Sequence, residues 1–174
     1  MLCSFDGRIP RTGTDTYVSH TALVIGDVTI GDNCYIGHGA ILRGDYGSIR
    51  IGNGTAIEEG VIVHAPPDGT CTIADKVTIG HGAIIHCKSM GNYVLIGMGA
   101  ILSLCSEIGD ETVIAEGSVV RWGQKVPGGV VAGGNPAEFI RNVTQEDKAG
   151  WEWAKNLYID LAQKYLTSGL QSVE

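Results

Sequence analysis

A six-residue period runs through most of this chain. Large aliphatic residues recur at every sixth position, interrupted by one insertion of three residues, one of four and one step of five. The series is Val18, Val24, Ile30, Ile36, Leu42, Ile51, Ile57, Val63, Ile73, Ile79, Ile85, Met90, Ile96, Leu102, Ile108, Ile114, Val120 and Val126. A period of six excludes helices, whose period is 3.6, and its turns are too frequent for a meander of hairpins.

Short strands that each end in a tight turn account for this period. Many of the aliphatic residues are followed by glycine or alanine, and the 174 residues include 26 glycines, which suit such turns. Three six-residue units make one coil, and coils stack at the ~4.8 Å spacing of neighbouring strands. The sequence therefore predicts an all-β, three-sided parallel β-helix over about residues 14–134.

The period stops at "GGVVAGGNPAEF", and a helical pattern follows. Thr144 with Asp147 three residues later is typical of a helix N-terminus. Apolar residues then fall at helical spacing, namely Trp151, Ala154, Leu157, Tyr158, Leu161 and Tyr165. We predict a β-helix domain over residues 1–142 and a C-terminal α-helix within 143–174, packed on the β-helix or on a neighbouring subunit.

Composition narrows the class of protein. The formal net charge of −7 argues against a nucleic-acid partner and against an anionic membrane surface, both of which favour clustered Lys and Arg. No apolar run approaches ~20 residues, and the N-terminus lacks the apolar region of a signal peptide. The five cysteines are odd in number and never spaced as CxxC, which favours reduced thiols in a cytoplasmic protein.

Two histidines share one outward column of the predicted β-helix. His64 follows the inward Val63, and His86 follows the inward Ile85, three units further on. They therefore point outward from the same face, one coil and about 5 Å apart. Two imidazoles at this separation can share a metal at ~2.1 Å per bond. Arg43 occupies the same column one coil earlier, with Asp45 two residues beyond it.

His81 lies elsewhere in the register. It comes two residues after Ile79, at the preceding turn, and the five residues to His86 span about 16 Å of extended chain. It cannot join the pair of its own chain, but a head-to-tail ring around a three-fold axis could bring it to the pair of a neighbouring subunit. His20 and His38 share its column, and we expect both to be solvated turn residues.

The segment "ILRGDYGSIRIGNGTAIEEGVIVHAP", followed by "IGHGAIIH", resembles the γ-class carbonic anhydrase family of left-handed β-helix proteins. The resemblance implies zinc at the interfaces of a homotrimer, bound by His64 and His86 of one subunit and His81 of the next. It also implies that water on the metal attacks CO₂ to give bicarbonate, and that Arg43 and Asp45 form an ion pair between subunits. Three histidines also suit Co²⁺ or Fe²⁺.

The chain departs from the family pattern beside the site. Glu58 and Glu59 stand where the family usually has Gln and Asp. An ionised carboxylate only accepts hydrogen bonds, so Glu58 could orient or deprotonate the water, or repel bicarbonate. Glu59 would lie beside the site, with one more methylene than Asp. The family's last helix offers polar side chains to the site, and Asn156 and Tyr158 are the candidates here.

Two other functions stay open. One is an acyl-CoA transferase or thioesterase, since the same β-helix houses CoA acyltransferases. Those commonly use a single histidine, a long loop and a basic rim, whereas this chain has short insertions and few basic residues. A metal hydroxide could also hydrolyse a thioester. A non-catalytic trimeric scaffold that keeps the metal for assembly is the third possibility, and the Glu58–Glu59 pair is the feature that favours it.

Overall fold

The computed structural model describes residues 1–173, which form twenty strands and one α-helix. The first ten strands are β1 (Leu2–Cys3), β2 (Arg11–Thr12), β3 (Tyr17–Val18), β4 (Leu23–Ile30), β5 (Tyr35–Ile36), β6 (Ile41–Ile51), β7 (Ala56–Ile57), β8 (Ile62–His64), β9 (Thr70–Ile73) and β10 (Thr78–Ile79). The remaining elements are β11 (Ile84–Ile85), β12 (Ser89–Met90), β13 (Leu95–Ile96), β14 (Ile101–Leu102), β15 (Glu107–Ile108), β16 (Val113–Ile114), β17 (Val119–Val120), β18 (Lys125–Val126), β19 (Val130–Gly133), β20 (Glu138–Asn142) and α1 (Gln145–Ser168).

The strands wind into a three-sided parallel β-helix. One strand of each coil contributes to a face that we call the helix face, because α1 packs on it. Its strands stack in the order β3, β5, β7, β10, β13, β16 and β19. β6 pairs with β8 near its start and with β9 near its end, so this one strand crosses two faces of the prism. We call the face of β8, β11, β14 and β17 the histidine face, and the face of β9, β12, β15 and β18 the third face. The predicted fold is confirmed.

The core is the aliphatic series read from the sequence. All its members are buried in one cluster except Val18, which is half-buried and packs against that cluster. Burying each side chain contributes roughly 1.5–3 kcal/mol, because apolar surface leaves water. Small residues such as Ala40 and Ala83, just before the strands of the histidine face, are also fully buried.

The β-helix extends beyond the predicted range. β1 pairs with Val24 and Ile25 of β4, and β2 pairs with Thr29 and Ile30, so an incomplete coil precedes residue 14. At the other end, β20 turns back and pairs antiparallel with β19. None of these three strands, β1, β2 and β20, carries the six-residue signal, which is why the period did not predict them.

Helix α1 begins at the predicted cap. The hydroxyl of Thr144 accepts a hydrogen bond from the backbone N–H of Asp147, and the Asp147 carboxylate accepts one from the backbone N–H of Thr144. This reciprocal pair satisfies two N–H groups that the first turn leaves free. Within residues 1–173, no helix combines the length and apolar character needed to cross a membrane.

The helix packs on β3, β5 and β7 of its own chain. The predicted apolar stripe is partly wrong, because Leu157 is 49% exposed whereas Lys155 is 2% exposed. Tyr158 and Tyr165, two helical turns apart, pack against tyrosines that project from the helix face, and this rotation turns Lys155 inward. The division at residues 142–143 stays a prediction, and Glu174 lies outside the described residues.

Candidate metal centre

His64 and His86 stack on the histidine face. β8 ends at His64, and His86 directly follows β11, whose Ile85 pairs with Val63. The two ring centroids lie 4.6 Å apart. The register therefore places both imidazoles in one column, as the sequence indicated, because each follows an inward residue at the same position of successive coils.

Both imidazoles are in a state that suits metal binding. Burial lowers the pKa of His64, helped by the guanidinium of Arg43 and by His86, and burial followed by Arg43 lowers the pKa of His86. Both rings are therefore neutral near pH 7, as metal ligands must be. Nε2 of His86 is buried and has no hydrogen-bond partner in the described chain. A free lone pair beside a second imidazole fits a metal ion.

Arg43 and Asp45 lie at the end of this column that precedes His64 in the sequence. Arg43 pairs in register with His64, and its Nη1 donates to Oδ2 of Asp45 at 2.8 Å. Oδ1 of Asp45 lies 4.0 Å from Nε2 of His64. Burial acts to raise the pKa of Asp45, but the hydrogen bond from Arg43 prevails and lowers it. In this single chain, the ion pair that the resemblance implied between subunits forms within the subunit.

His81 occupies the corner between the helix face and the histidine face. It stands between two glycines, and Gly82 adopts φ +68°, a left-handed conformation that favours glycine. The His81 side chain is 49% exposed. Among residues 1–173, no three His, Cys, Asp or Glu side chains are arranged so that they could hold a metal ion, so His81 does not complete the pair of its own chain.

Two carboxylates hold the His81 ring. Oε2 of Glu58 lies 3.1 Å from Nε2, and Oε2 of Glu59 lies 2.8 Å from Nδ1. Glu58 also accepts a hydrogen bond from the backbone N–H of His81 at 3.0 Å. Both nitrogens of the ring therefore face carboxylates of the same chain, and the Glu58 carboxylate would compete with a metal ion for Nε2.

Tyrosines of two elements reach these carboxylates. The hydroxyl of Tyr35, in β5, donates to Oε1 of Glu59 at 2.6 Å. Burial acts to raise the pKa of Glu59, but this hydrogen bond and the nearby His81 lower it. From α1, Tyr158 lies near Glu58, and burial followed by that carboxylate raises the pKa of Tyr158.

The remaining predicted candidates lie apart from this cluster. Asn156 is exposed, and its side chain makes no hydrogen bond within the described part of the chain. His20 is exposed as expected, but His38 is half-buried, with Nδ1 2.5 Å from the hydroxyl of Ser19. The expectation of a solvated His38 is therefore wrong, because Ser19 and the ring of Tyr165 cover it.

Tyr35 was not among the site residues predicted from the sequence. Tyr17 and Tyr35 are register partners, whereas the next two coils carry the small residues Ala56 and Thr78 at this outward position. This contrast is the signal that could have found it.

The histidine face carries an exposed apolar ladder. Ile62, Ile84 and Ile101 follow one another in register and are 40%, 42% and 38% exposed. Met98, in the corner column of His81, is 53% exposed. A row of apolar side chains on one face is typical of an interaction surface. A cleft of about 400 Å³ also opens beside His86, lined in part by Pro66, Thr72 and Cys87.

The six-residue coils and the paired histidines define a hexapeptide-repeat protein with a candidate metal centre. The profile of the bacterial transferase hexapeptide (six repeats) family matches residues 10–44. The chain is 36% identical to gamma carbonic anhydrase 2, mitochondrial, of Arabidopsis thaliana, over 96% of this chain and 62% of that protein. It is 35% identical to the carnitine operon protein CaiE of Salmonella agona, over 91% of this chain and 80% of that protein. The chain belongs to the γ-class carbonic anhydrase-like family of hexapeptide-repeat proteins.

Solved structures agree with the fold. A hexapeptide transferase family protein from Anaplasma phagocytophilum superposes with a TM-score of 0.89 at 34% identity, over 94% of this chain and 97% of that one. A Bacillus cereus protein provisionally assigned as an acetyltransferase gives a TM-score of 0.92 at 30% identity, over 94% and 95%. These relatives support an enzyme. The chain spans less than two thirds of the length of the plant relatives that it matches.

Proposed function

We propose that this protein is a γ-class carbonic anhydrase-like metalloenzyme that hydrates CO₂ to bicarbonate at the subunit interfaces of a homotrimer. The observation that carries the proposal is the buried, unpartnered Nε2 of His86 beside the ring of His64. Leaving such an atom unsatisfied costs about 1–3 kcal/mol, so a ligand that uses its lone pair explains why the histidine is there.

The proposed ligands are His64 and His86 of one subunit and His81 of a neighbouring subunit. His81 supports this assignment because it is exposed on a corner, away from the pair of its own chain. The apolar ladder of Ile62, Ile84 and Ile101 flanks the pair and supports a subunit interface there. We propose Zn²⁺ as the metal, and three imidazoles also suit Co²⁺ or Fe²⁺.

The carboxylates of the corner supply the remaining chemistry. When bound, a divalent metal supplies the Lewis-acid chemistry that makes water nucleophilic near neutral pH. Glu58, which is only 8% exposed and lies beside Nε2 of His81, is proposed to orient that water by accepting a hydrogen bond from it. Glu59 holds Nδ1 of His81 and so fixes the orientation of the ring.

Other residues orient the site. Asp45, held by Arg43, faces His64 and keeps the edge of the pair polar. Tyr158 reaches Glu58 from the helix, and we propose that it orients that carboxylate. Asn156 is proposed to reach a site only in the trimer, because its side chain is exposed in the single chain. The proposed location is the cytoplasm, and the net charge of −7 supports neither nucleic acid nor an anionic membrane as a partner.

Metal analysis of the purified protein, followed by stopped-flow CO₂ hydration, tests the proposal. We expect stoichiometric divalent metal and a hydration rate that chelation abolishes. The variant His81→Ala should lose the metal and stay trimeric, whereas His20→Ala, an exposed histidine of the same corner column, should keep the metal. Wild-type protein without stoichiometric metal would contradict the proposal.

A panel of acyl-CoA substrates, assayed on the same preparation, separates the other functions. The names of the structural relatives motivate this arm, since they refer to transferases. Hydrolysis or transfer of a thioester without CO₂ hydration would replace the proposed reaction. Bound metal with neither activity would indicate a trimeric scaffold.

A further inference from the structure

Glu59 is held at both ends. Its Oε1 accepts a hydrogen bond from the hydroxyl of Tyr35 at 2.6 Å, and its Oε2 lies 2.8 Å from Nδ1 of His81. A hydroxyl-to-carboxylate bond of this length is short and strong, because the acceptor is charged. The carboxylate therefore connects a tyrosine of the helix face to the exposed histidine at the corner.

We infer that Tyr35 is a positioning residue for the metal-binding role of His81, acting through Glu59. The inference deepens the proposed function and rests on it for the role of His81. Tyr17, the register partner of Tyr35 in the preceding coil and a member of the same aromatic cluster, makes no hydrogen bond to Glu59, so packing in that cluster does not by itself account for the Tyr35–Glu59 bond.

Tyr35 is itself immobilised. It is 2% exposed, and its ring lies between those of Tyr17 at 5.7 Å and Tyr158 at 5.5 Å, measured between centroids. A buried phenol hydroxyl needs a hydrogen-bond partner, and Glu59 is the partner it has. Packing against α1 and β3 fixes the Tyr35 ring, and its hydroxyl therefore holds the Glu59 carboxylate in place at the edge of the prism.

Gly37 closes the other side of the carboxylate. A Cβ atom added at Gly37 would lie 2.8 Å from Oε1 of Glu59, closer than real contacts allow. The backbone of the neighbouring coil therefore leaves room for Glu59 in this one position. Gly37→Ala would therefore disturb Glu59, and because the added Cβ atom would also lie 2.9 Å from backbone atoms of Glu58 and Glu59, it would move both glutamates.

The consequence concerns His81. Its side chain is 49% exposed and gains little orientation from packing. A carboxylate fixed at Nδ1 holds the ring by that nitrogen, so Nε2, which Glu58 faces at 3.1 Å, is the atom that remains for the metal. Without the Tyr35 hydroxyl, Glu59 can rotate, and His81 loses the support that sets its direction before a subunit interface forms.

The variant Tyr35→Phe tests this role, with Tyr17→Phe as the matched control. Tyr17 lies in the same aromatic cluster, stacked on Tyr165 at 4.6 Å, and removal of its hydroxyl leaves the Glu59 bond intact. Zinc affinity is measured by competition with a chromophoric chelator. We expect Tyr35→Phe to bind zinc about tenfold more weakly, the low end of the ~10–100-fold typical for loss of a supporting partner. Tyr17→Phe should match the wild type.

A second readout needs no metal. In the metal-free protein labelled with ¹⁵N-histidine, the Nδ1 proton of His81 should give a protected resonance that is absent from His81→Ala. We expect Tyr35→Phe and Gly37→Ala to broaden or abolish this resonance, and Tyr17→Phe to retain it. In a Glu59→Gln background, Tyr35→Phe should add no further loss of zinc affinity, because its effect passes through Glu59.

The outcomes separate this inference from the proposed function. Wild-type affinity and an unchanged resonance in Tyr35→Phe would overturn the role of Tyr35, as would equal changes in Tyr17→Phe. If wild-type protein binds no metal, the proposed function fails, and the metal-free resonance still decides whether Tyr35 positions His81. If Tyr35→Phe does not fold, Glu59→Gln decides with the same two readouts, because it replaces the charged acceptor of the Tyr35 hydroxyl and leaves the tyrosine ring in place. Wild-type affinity and an unchanged resonance in Glu59→Gln would overturn the role.

Discussion

The imidazole rings of His64 and His86 lie 4.6 Å apart on successive coils, and Nε2 of His86 is buried without a partner anywhere in residues 1–173. A histidine kept for stability would use both nitrogens. His38 shows the contrast, because Ser19 lies 2.5 Å from its Nδ1 and the Tyr165 hydroxyl 3.4 Å from its Nε2. The difference between His86 and His38 supports the proposal that His86 is a metal ligand, whereas His38 has the contacts of a structural residue.

His86→Leu should leave the metal-free protein as stable as the wild type, or stabilise it. The substitution removes a buried nitrogen whose lack of a hydrogen-bond partner costs about 1–3 kcal/mol, and it puts an apolar side chain of similar size in its place. We expect the melting temperature in chelator to be unchanged or raised by about 2–4 °C. Metal binding should be lost completely.

The same substitution at His38 is the control. His38→Leu removes a satisfied imidazole and leaves the buried Ser19 hydroxyl without that partner, so we expect a lower melting temperature and unchanged metal content. A clear loss of stability in metal-free His86→Leu would indicate that His86 is a structural residue.

Glu58→Gln should raise zinc affinity and CO₂ hydration together. The Glu58 carboxylate lies 3.1 Å from Nε2 of His81 and competes for that atom, whereas a neutral amide keeps its size and can still accept from the His81 backbone N–H. We expect a several-fold gain in both quantities, measured by chelator competition and stopped flow. Lower hydration with tighter zinc binding would instead identify Glu58 as the required proton acceptor.

Lys155→Met should stabilise the protein near pH 7. Burial lowers the pKa of Lys155 from its usual 10.5 to about 8, and among residues 1–173 the ammonium finds only a hydroxyl and a carbonyl as hydrogen-bond partners, at 3.4 and 3.3 Å. A shift of this size corresponds to a cost on the order of 3 kcal/mol for holding the charge in the folded state. Calorimetry should show a higher melting temperature for Lys155→Met at neutral pH.

The gain from Lys155→Met has a defined pH dependence. Below pH 8 the lysine is charged in both the folded and the unfolded chain, so its cost is fully present. Between pH 8 and 10.5 the unfolded chain binds more protons than the folded one, and wild-type stability rises towards that of the variant. The exposed Lys164→Met should change stability by no more than about 0.5 kcal/mol at any of these pH values. A gain that persists at pH 10.5 would show that the charge is not the cause.

The sequence predicts what the six-residue register determines. Because each unit fixes which side chains point inward, the offsets alone place Arg43, His64 and His86 in one column and His81 at another corner. The antiparallel β20 and the coil that begins at β1 lie outside the period and were not predicted. The rotation of α1 was not predicted either. It depends on where Tyr17 and Tyr35 project from the helix face, and the residue pattern within the helix does not contain this information.

The side-chain contacts at the corner are the other part that the sequence could not supply. Glu58 and Glu59 are adjacent, and their order does not reveal that both carboxylates turn towards His81. That choice depends on the space beside Gly37 and on the hydroxyl of Tyr35. The sequence therefore indicated which residues are candidates for the site, but only the structure shows their hydrogen bonds.

The central claim is that each metal centre takes His64 and His86 from one subunit and His81 from another, and hybrid trimers test it most directly. His81→Ala and His86→Ala are expected to bind no metal when expressed separately. Co-expressed in equal amounts, each mixed trimer contains one interface with all three histidines, because the ring is head-to-tail. Random assembly then gives about a quarter of the wild-type metal content, measured on the purified trimers. Metal-free hybrid trimers, or full metal content in His81→Ala alone, would contradict the account.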